Sequence, residues 1–275
     1  MLISIIITVK NEVENMPRLL DSLLVQEKPF EIIVVDANST DATPDIVKEY
    51  ASRYKEVKFF SYDRTRGKSR NYGVKQARGE AVAFTDGSCI ANPFWLKELR
   101  KKLSEGFDIV AGNTVRFGFS GFSKVGRVEL FNKGGDASYP TCNIVYKKEI
   151  FTGIDGFDPW FKEAEDVDLN YRALDSGAKL TYEEKAIIYH MGGETFSSFI
   201  KKSFWYGFGR KELVIRHGSL WSKYNVLDMI KIRDGESCWK LVRLVIAFVG
   251  YLFCILIGKK SAAKERLRKA KISQH

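Results

Sequence analysis

Over its first 190 residues the chain alternates short β-branched runs with stretches whose apolar positions recur at helical spacing. Leu2 to Val9 is aliphatic and too short for a helix of its own, so it predicts a first central strand. Asn15 is the expected cap of the next helix, with Pro17 in its first turn and Leu19, Leu20, Leu23 and Leu24 on one face. Phe30 to Val35 predicts a second strand. A second helix, capped by Asp41 or Thr40, turns Ile46, Val47, Tyr50 and Ala51 inward. Val57 to Phe60 and Glu80 to Thr85 predict two more strands, with loop and helix between them over Gly67 to Ala77. This β-α-β-α-β order predicts an α/β fold with a doubly wound, mostly parallel sheet.

The second half is less regular. A helix is expected from Phe94 to Leu103 and a strand from Phe107 to Ala111. Residues 112–138 are rich in Gly, Phe and Lys without periodicity, which predicts loop and short helix. Thr141 to Tyr146 predicts a strand, Gly153 to Asp158 a turn-rich loop, and Glu163 to Arg172 a helix. Ala186 to His190 predicts the last strand. Beyond it the composition changes: Phe196, Phe199, Phe204, Trp205, Tyr206 and Phe208 cluster with Lys201, Lys202, Arg210 and Lys211. Leu244 to Gly258 is uncharged and apolar. The chain thus divides into a catalytic-type domain over 1–195 and a helical, apolar C-terminal extension over 196–275.

At 275 residues the chain is long enough to bury a sizeable core, and its net charge of +10 favours anionic partners. Cys89, Cys142, Cys238 and Cys254 show neither CxxC nor zinc-ligand spacing. The Met1-Leu2-Ile3 start has no signal-peptide character, so reduced thiols and a cytoplasmic setting are expected. Abundant Lys and Glu with only Gln26, Gln76 and Gln274 is a composition of thermophiles.

The chemistry lies where the strands end. No GxGxxG follows the first strand and no GxxxxGK[ST] loop is present, which argues against an ordinary dinucleotide or P-loop site. Instead Glu12, Asp36, Asn38, Asp41 and Asp86 stand at strand ends, facing the crevice where open α/β sheets bind ligands. Such acids accept from base N–H groups or ribose hydroxyls, and they count against a nucleic-acid partner. Asp86-Gly87-Ser88 sets a carboxylate and a hydroxyl one residue apart, able to face one Mg²⁺ or Mn²⁺ whose shell phosphate and water complete. A plain Asp-Gly turn reads the same way. Arg64, Arg66, Lys68 and Arg70 could neutralise a diphosphate, or form a solvated basic loop. Glu163, Glu165, Asp166 and Asp168 crowd one helix start; acids suit that position anyway, but one of them could be a general base.

Together these stretches resemble the family 2 inverting glycosyltransferases of the GT-A fold. The resemblance rests on Ser4-Ile-Ile-Ile-Thr-Val-Lys-Asn-Glu12, on Ile33-Val-Val-Asp-Ala-Asn-Ser-Thr-Asp-Ala-Thr43, and on Gly67-Lys-Ser-Arg-Asn-Tyr-Gly-Val74 running into Ala77-Arg-Gly-Glu80. It continues through Phe84-Thr-Asp-Gly-Ser88, Gly156-Phe-Asp158 and Glu165-Asp-Val-Asp-Leu169, in the family's order from residue 2 to about 190. It implies that Asp36 binds the nucleotide base, that Asp166 deprotonates the acceptor, and that Asp86 meets the cation and diphosphate with His190 completing the metal shell. The expected substrate-binding set is Thr8, Asn11, Glu12, Asp36, Asn38, Lys68, Arg70, Asp86, Glu165 and Arg210. Ser88 stands where the family's Asp-x-Asp ends in Asp, a weaker ligand for a hard cation.

The expected reaction is transfer of a sugar from a UDP- or GDP-sugar to a lipid-linked or surface-glycan acceptor, with Mn²⁺ or Mg²⁺ as cofactor. A non-catalytic sugar-nucleotide-binding relative and a nucleotidyltransferase are the rival readings. Leu244 to Gly258 falls short of the about 20 residues a span needs, and basic stretches lie on both sides of it. It is expected to lie at or dip into the inner face of the cell membrane, the alternative being a helix buried against residues 196–225.

Overall fold

The computed structural model describes residues 1–117, 127–191, 195–223 and 237–257. Among the described residues the strands are, in chain order, β1 (Ile3–Val9), β2 (Phe30–Asp36), β3 (Val57–Ser61), β4 (Ala81–Asp86), β5 (Cys89–Ala91), β6 (Ile109–Phe117), β7 (Phe131–Asn132), β8 (Gly135–Asp136), β9 (Ile144–Lys147) and β10 (Leu180–Met191). The helices are α1 (Met16–Leu24), α2 (Thr43–Arg53), α3 (Arg66–Gln76), α4 (Trp95–Ser104), α5 (Lys148–Gly153), α6 (Glu165–Asp175), α7 (Phe196–His217) and α8 (Ser237–Leu256).

The main sheet has the order β3-β2-β1-β4-β9-β6-β10-β5. β1, β2, β3 and β4 pair in parallel, as do β6 and β10, while β9 and β5 run antiparallel to their neighbours. The β-branched runs are strands because they are covered on both faces: Ile3, Ile5, Ile7, Ile32 and Val34 face α1 and α4, and Ile6, Ile33 and Val35 face α3. Parallel pairing brings the carboxyl ends of β2, β1 and β4 to one edge, with Thr8 beside Asp86 and Val9 beside Asp36.

Several expectations need correction. Asn15 does not cap α1; its amide donates to Glu12 Oε2 at 2.8 Å, which draws it toward the strand end. Asp41 does accept from the Thr43 N–H, at 3.0 Å, though Ala42 is the residue at the cap position. The expected loop at 112–138 begins as strand, because β6 continues to Phe117 alongside β10; residues 118–126 lie outside the described part, and 131–136 form the β7–β8 hairpin. Thr141–Asn143 is a 3₁₀ turn, and the strand there is the short antiparallel β9. Helix α5 precedes the 153–158 turns.

α7 and α8 cross where glycine meets backbone. A Cβ on Gly207 would lie 1.6 Å from the Ala247 carbonyl oxygen, and one on Gly250 would lie 1.9 Å from that of Phe204. Phe204 and Phe253 (5.5 Å between ring centroids) and Lys211 over the Tyr251 ring (5.1 Å) continue the contact. α8 is therefore no core helix: its outer face leaves Leu244, Val245, Phe248, Val249 and Leu256 exposed. The basic residues from Lys259 onward lie outside the described part.

Candidate active site

Sheet register builds one wall of the site. Asp36, buried at the end of β2, accepts from Ser39 through both its N–H (3.0 Å) and its hydroxyl (2.5 Å), which bends the chain back under the strand end. Asn11 and Asn38 adopt left-handed backbone (φ 57° and 60°), a conformation asparagine tolerates. Asn11 accepts from the Thr40 N–H at 2.8 Å, and the Glu12 N–H donates to the Thr43 hydroxyl at 2.8 Å, lashing the β1 and β2 termini together. Gly87 is needed for this closeness: a Cβ there would meet Glu12 Cγ at 2.8 Å, so Glu12 lies against the Asp86-Gly87-Ser88 turn.

The opposite wall is the 154–168 segment and the start of α6. Asn71 of α3 grips it from both sides, donating to the Phe157 carbonyl (2.8 Å) and accepting from the Phe157 N–H (2.9 Å). One residue earlier on α3 lies Arg70, whose side chain is only 5% exposed. Its Nη2 donates to Asp86 Oδ1 and its Nη1 to Glu165 Oε1, each at 3.1 Å. One buried guanidinium therefore ties the end of β4 to the beginning of α6, and it stacks over the Phe157 ring at 5.5 Å. Arg66, one turn before it and more exposed, reaches Glu163 Oε2 at 3.2 Å and Glu165 Oε1 at 3.7 Å. Lys68 and Arg64 stay exposed, so of the four expected phosphate cations two are engaged with carboxylates.

Asp166 follows Glu165 at the first turn of α6 and accepts from the Val167 N–H at 2.8 Å. Desolvation and then the neighbouring Glu165 carboxylate push its carboxyl up to about 6, against the smaller pull of Arg70 and Arg66. Burial likewise raises Glu163, whose charge and that of Glu165 face the same cluster. A carboxylate poised near neutrality in a crevice is what a general base requires.

The Ser88 hydroxyl and His190 Nε2 lie 3.5 Å apart, because β5 pairs with the end of β10 and the Met191 N–H donates to the Ser88 carbonyl at 2.8 Å. Asp86, Ser88 and His190 offer carboxylate, hydroxyl and imidazole, a donor set that suits Mn²⁺ or Mg²⁺ only when phosphate and water supply the rest. Among the described residues no cluster of three acids, histidines or cysteines forms a self-sufficient metal site. Arg210, on α7, donates to the Val128 carbonyl at 2.9 Å. Sequence reasoning missed Asn71, the bridging role of Arg70, and Glu212. The last is fully buried on α7 and accepts from the backbone N–H groups of Lys162 and Glu163.

A mostly parallel sheet with acids along its carboxyl edge, facing an acidic helix start across a crevice, defines a glycosyltransferase of the GT-A fold. Residues 4–157 match Glycosyl transferase family 2, and the chain belongs to that family. It is 29% identical to glycosyltransferase AglE of Haloferax volcanii over 87% of this chain and 80% of that one. The mannosyltransferase PcManGT of Pyrobaculum calidifontis, solved with GDP-Man and Mn²⁺, superposes with a TM-score of 0.63 at 18% identity, over 99% of this chain and 80% of its own. Staphylococcus aureus TarS 1–349, solved with UDP-GlcNAc, gives 0.60 at 20% identity over 91% and 82%.

The Arg70 bridge makes a direct prediction. Arg70→Met takes away the guanidinium that Asp86 and Glu165 share, leaving Glu165 with Arg66 at 3.7 Å, and should cost about 3 kcal/mol in urea denaturation. Adding Glu165→Gln should recover part of that loss. Additive single-variant costs would mean the two carboxylates do not share the guanidinium.

Proposed function

We propose that this glycosyltransferase inverts the anomeric centre of a nucleotide-diphosphate sugar, with Asp166 as general base. The observation that carries this reading is the geometry at the start of α6, where Asp166 stands next to Glu165, which Arg70 ties across to Asp86 at the end of β4. The acceptor O–H gives its proton to Asp166 while its oxygen attacks the anomeric carbon. The bond from that carbon to the diphosphate oxygen breaks, and the nucleoside diphosphate leaves with the electron pair. Attack from the side opposite the leaving group inverts the centre, so an α-linked donor gives a β product.

Asp36, with Thr8, Asn11, Glu12 and Asn38 around it, would take the nucleoside, as carboxylates at strand ends do in nucleotide-binding sheets. Lys68, which is exposed, would meet the diphosphate, while Arg70, buried and engaged by Asp86 and Glu165, would hold those acids in place rather than touch it as expected. Asp86, Ser88 and His190 would hold Mn²⁺ or Mg²⁺, which when bound would neutralise the departing diphosphate. The donor class is a UDP- or GDP-sugar, in keeping with the UDP-GlcNAc of TarS and the GDP-Man of PcManGT.

The acceptor is lipid-linked or a surface glycan, and the chain works at a cytoplasmic membrane face. α8 carries an apolar stretch from Trp239 to Leu256 with a mean hydropathy of 2.0, of which 11% is buried. Its 20 residues rise about 30 Å, near the thickness of the hydrocarbon core. Yet α7 packs along it from Phe199–Trp239 at one end to Lys211–Tyr251 at the other. A crossing α8 would drag the charged α7 into lipid or part from it, so α8 lies in the interface with its exposed side chains in the headgroup and acyl boundary.

Two measurements test these readings. Because the base acts as its carboxylate, turnover should rise with pH through about 6 and stay high above it, and Asp166→Asn should lower it by about 10² while donor binding survives. Near-normal turnover of Asp166→Asn would sink the assignment. The full chain should co-float with anionic phosphatidylglycerol vesicles, and Phe248→Asp with Leu252→Asp should release it; binding unaffected by both changes would contradict the interfacial placement.

A further inference from the structure

The face of α7 turned toward the catalytic wall carries a polar series that the proposed chemistry does not use. Gly209, Glu212 and Arg216 recur at helical spacing, with the apolar Leu213 between them buried against Phe161, Tyr171 and Leu174. Each of the three meets the segment that presents the acids. At Gly209 a Cβ would lie 3.0 Å from Ala164 Cβ and 3.3 Å from the Ala164 nitrogen, so the helix presses its bare backbone against that turn. Arg216 pairs with Asp158 at 2.9 Å, and the next residue, His217, meets Asp168 of α6 at 2.8 Å.

Between these contacts sits Glu212, fully buried. The Glu163 N–H donates to its Oε2 at 2.9 Å, and the Lys162 N–H donates to its Oε1 at 3.1 Å and Oε2 at 3.3 Å. These amides come immediately before Ala164, which enters α6 in left-handed backbone with φ 55°, a conformation that an alanine adopts only when its surroundings impose it. The turn decides the direction in which α6 starts, and with it where Glu165 and Asp166 point. A buried carboxylate that accepts two consecutive amides fixes such a turn more firmly than a neutral acceptor can.

We propose that Glu212 is a positioning residue for glycosyl transfer: from α7 it clamps the 162–164 turn so that the Glu165–Asp166 pair enters the crevice in one orientation. The proposal rests on the reading of Asp166 as base. Its consequence is that the helix bearing the apolar α8 is also the helix that sets the catalytic acids. A displacement of about 1 Å at a reacting group can cost two orders of magnitude in rate, so a loosened turn should show in kcat before it shows in donor affinity.

The test uses the full chain, with Glu212→Leu removing both acceptors and Glu212→Gln keeping one carbonyl oxygen and the side-chain volume. Amide hydrogen exchange across residues 162–168 should quicken at least tenfold in Glu212→Leu and by less in Glu212→Gln, while β1, β2 and β4 keep their protection. Nucleoside diphosphate release from UDP-GlcNAc and GDP-mannose, with Mn²⁺, should show kcat lowered at least tenfold with donor KM within about threefold. Should Glu212→Leu fail to fold, Glu212→Gln carries both arms. Unchanged exchange at 162–168, or faster exchange with wild-type kcat, overturns the proposal. Asp166→Asn run in parallel separates the two readings: wild-type turnover there removes the base assignment, while the exchange result still decides whether Glu212 holds the turn.

Discussion

The site depends on one guanidinium. Arg70 sits on α3, buried against Phe157, and its two terminal nitrogens hold Asp86 at the end of β4 and Glu165 at the start of α6. Without it Asp86 would lose this ion pair and Glu165 would be left with the more exposed Arg66 at 3.7 Å, so two carboxylates from distant parts of the chain would no longer be joined. With it, their separation is set by the width of a single planar group. The carboxyl of Asp166 is raised by burial first and by the neighbouring Glu165 next, while the Val167 N–H, Arg70 and Arg66 pull the other way.

The two walls differed in how far they could be read from the amino-acid order. Ile3 to Val9, Phe30 to Asp36 and Ala81 to Asp86 are runs that only doubly covered strands accommodate, and their terminal acids fall at one edge by parallel register. Asp36 and Asp86 stood out as candidates for that reason, and Asp166 through the run of acids at a helix start. Thr141 to Tyr146 and Ala186 to His190 also read as strands, but β5 and the first half of β10 were obscured because pairing between distant segments, not local pattern, makes them strands. Arg70 looked like one cation among four in a basic loop, since nothing in Arg66-Gly-Lys-Ser-Arg70 says which side chain turns inward. Glu212 left a faint trace as the one acid between Glu194 and Asp228, in a stretch otherwise aromatic and basic. An isolated acid there is legible only after the fold shows which backbone amides it meets.

α7 links the two ends of the proposed activity. One face packs glycine-close on α8, whose outer side chains are apolar and exposed, and another face meets the turn that leads into α6. Whatever seats α8 is therefore one rigid helix away from the acids that would meet an acceptor. An enzyme whose acceptor is held at a membrane would need this geometry, since the base must approach from the side on which the acceptor lies.

The central claim is that the strand-end acids and the α6 acids flank one donor in line. The structure of the full chain with Mn²⁺ and either UDP-GlcNAc or GDP-mannose tests it most directly. The account predicts the nucleoside against Asp36, the diphosphate at Asp86, and the anomeric carbon between that diphosphate and the Asp166 carboxylate. A donor whose anomeric carbon faces away from Asp166, or whose diphosphate lies far from Asp86, would contradict it.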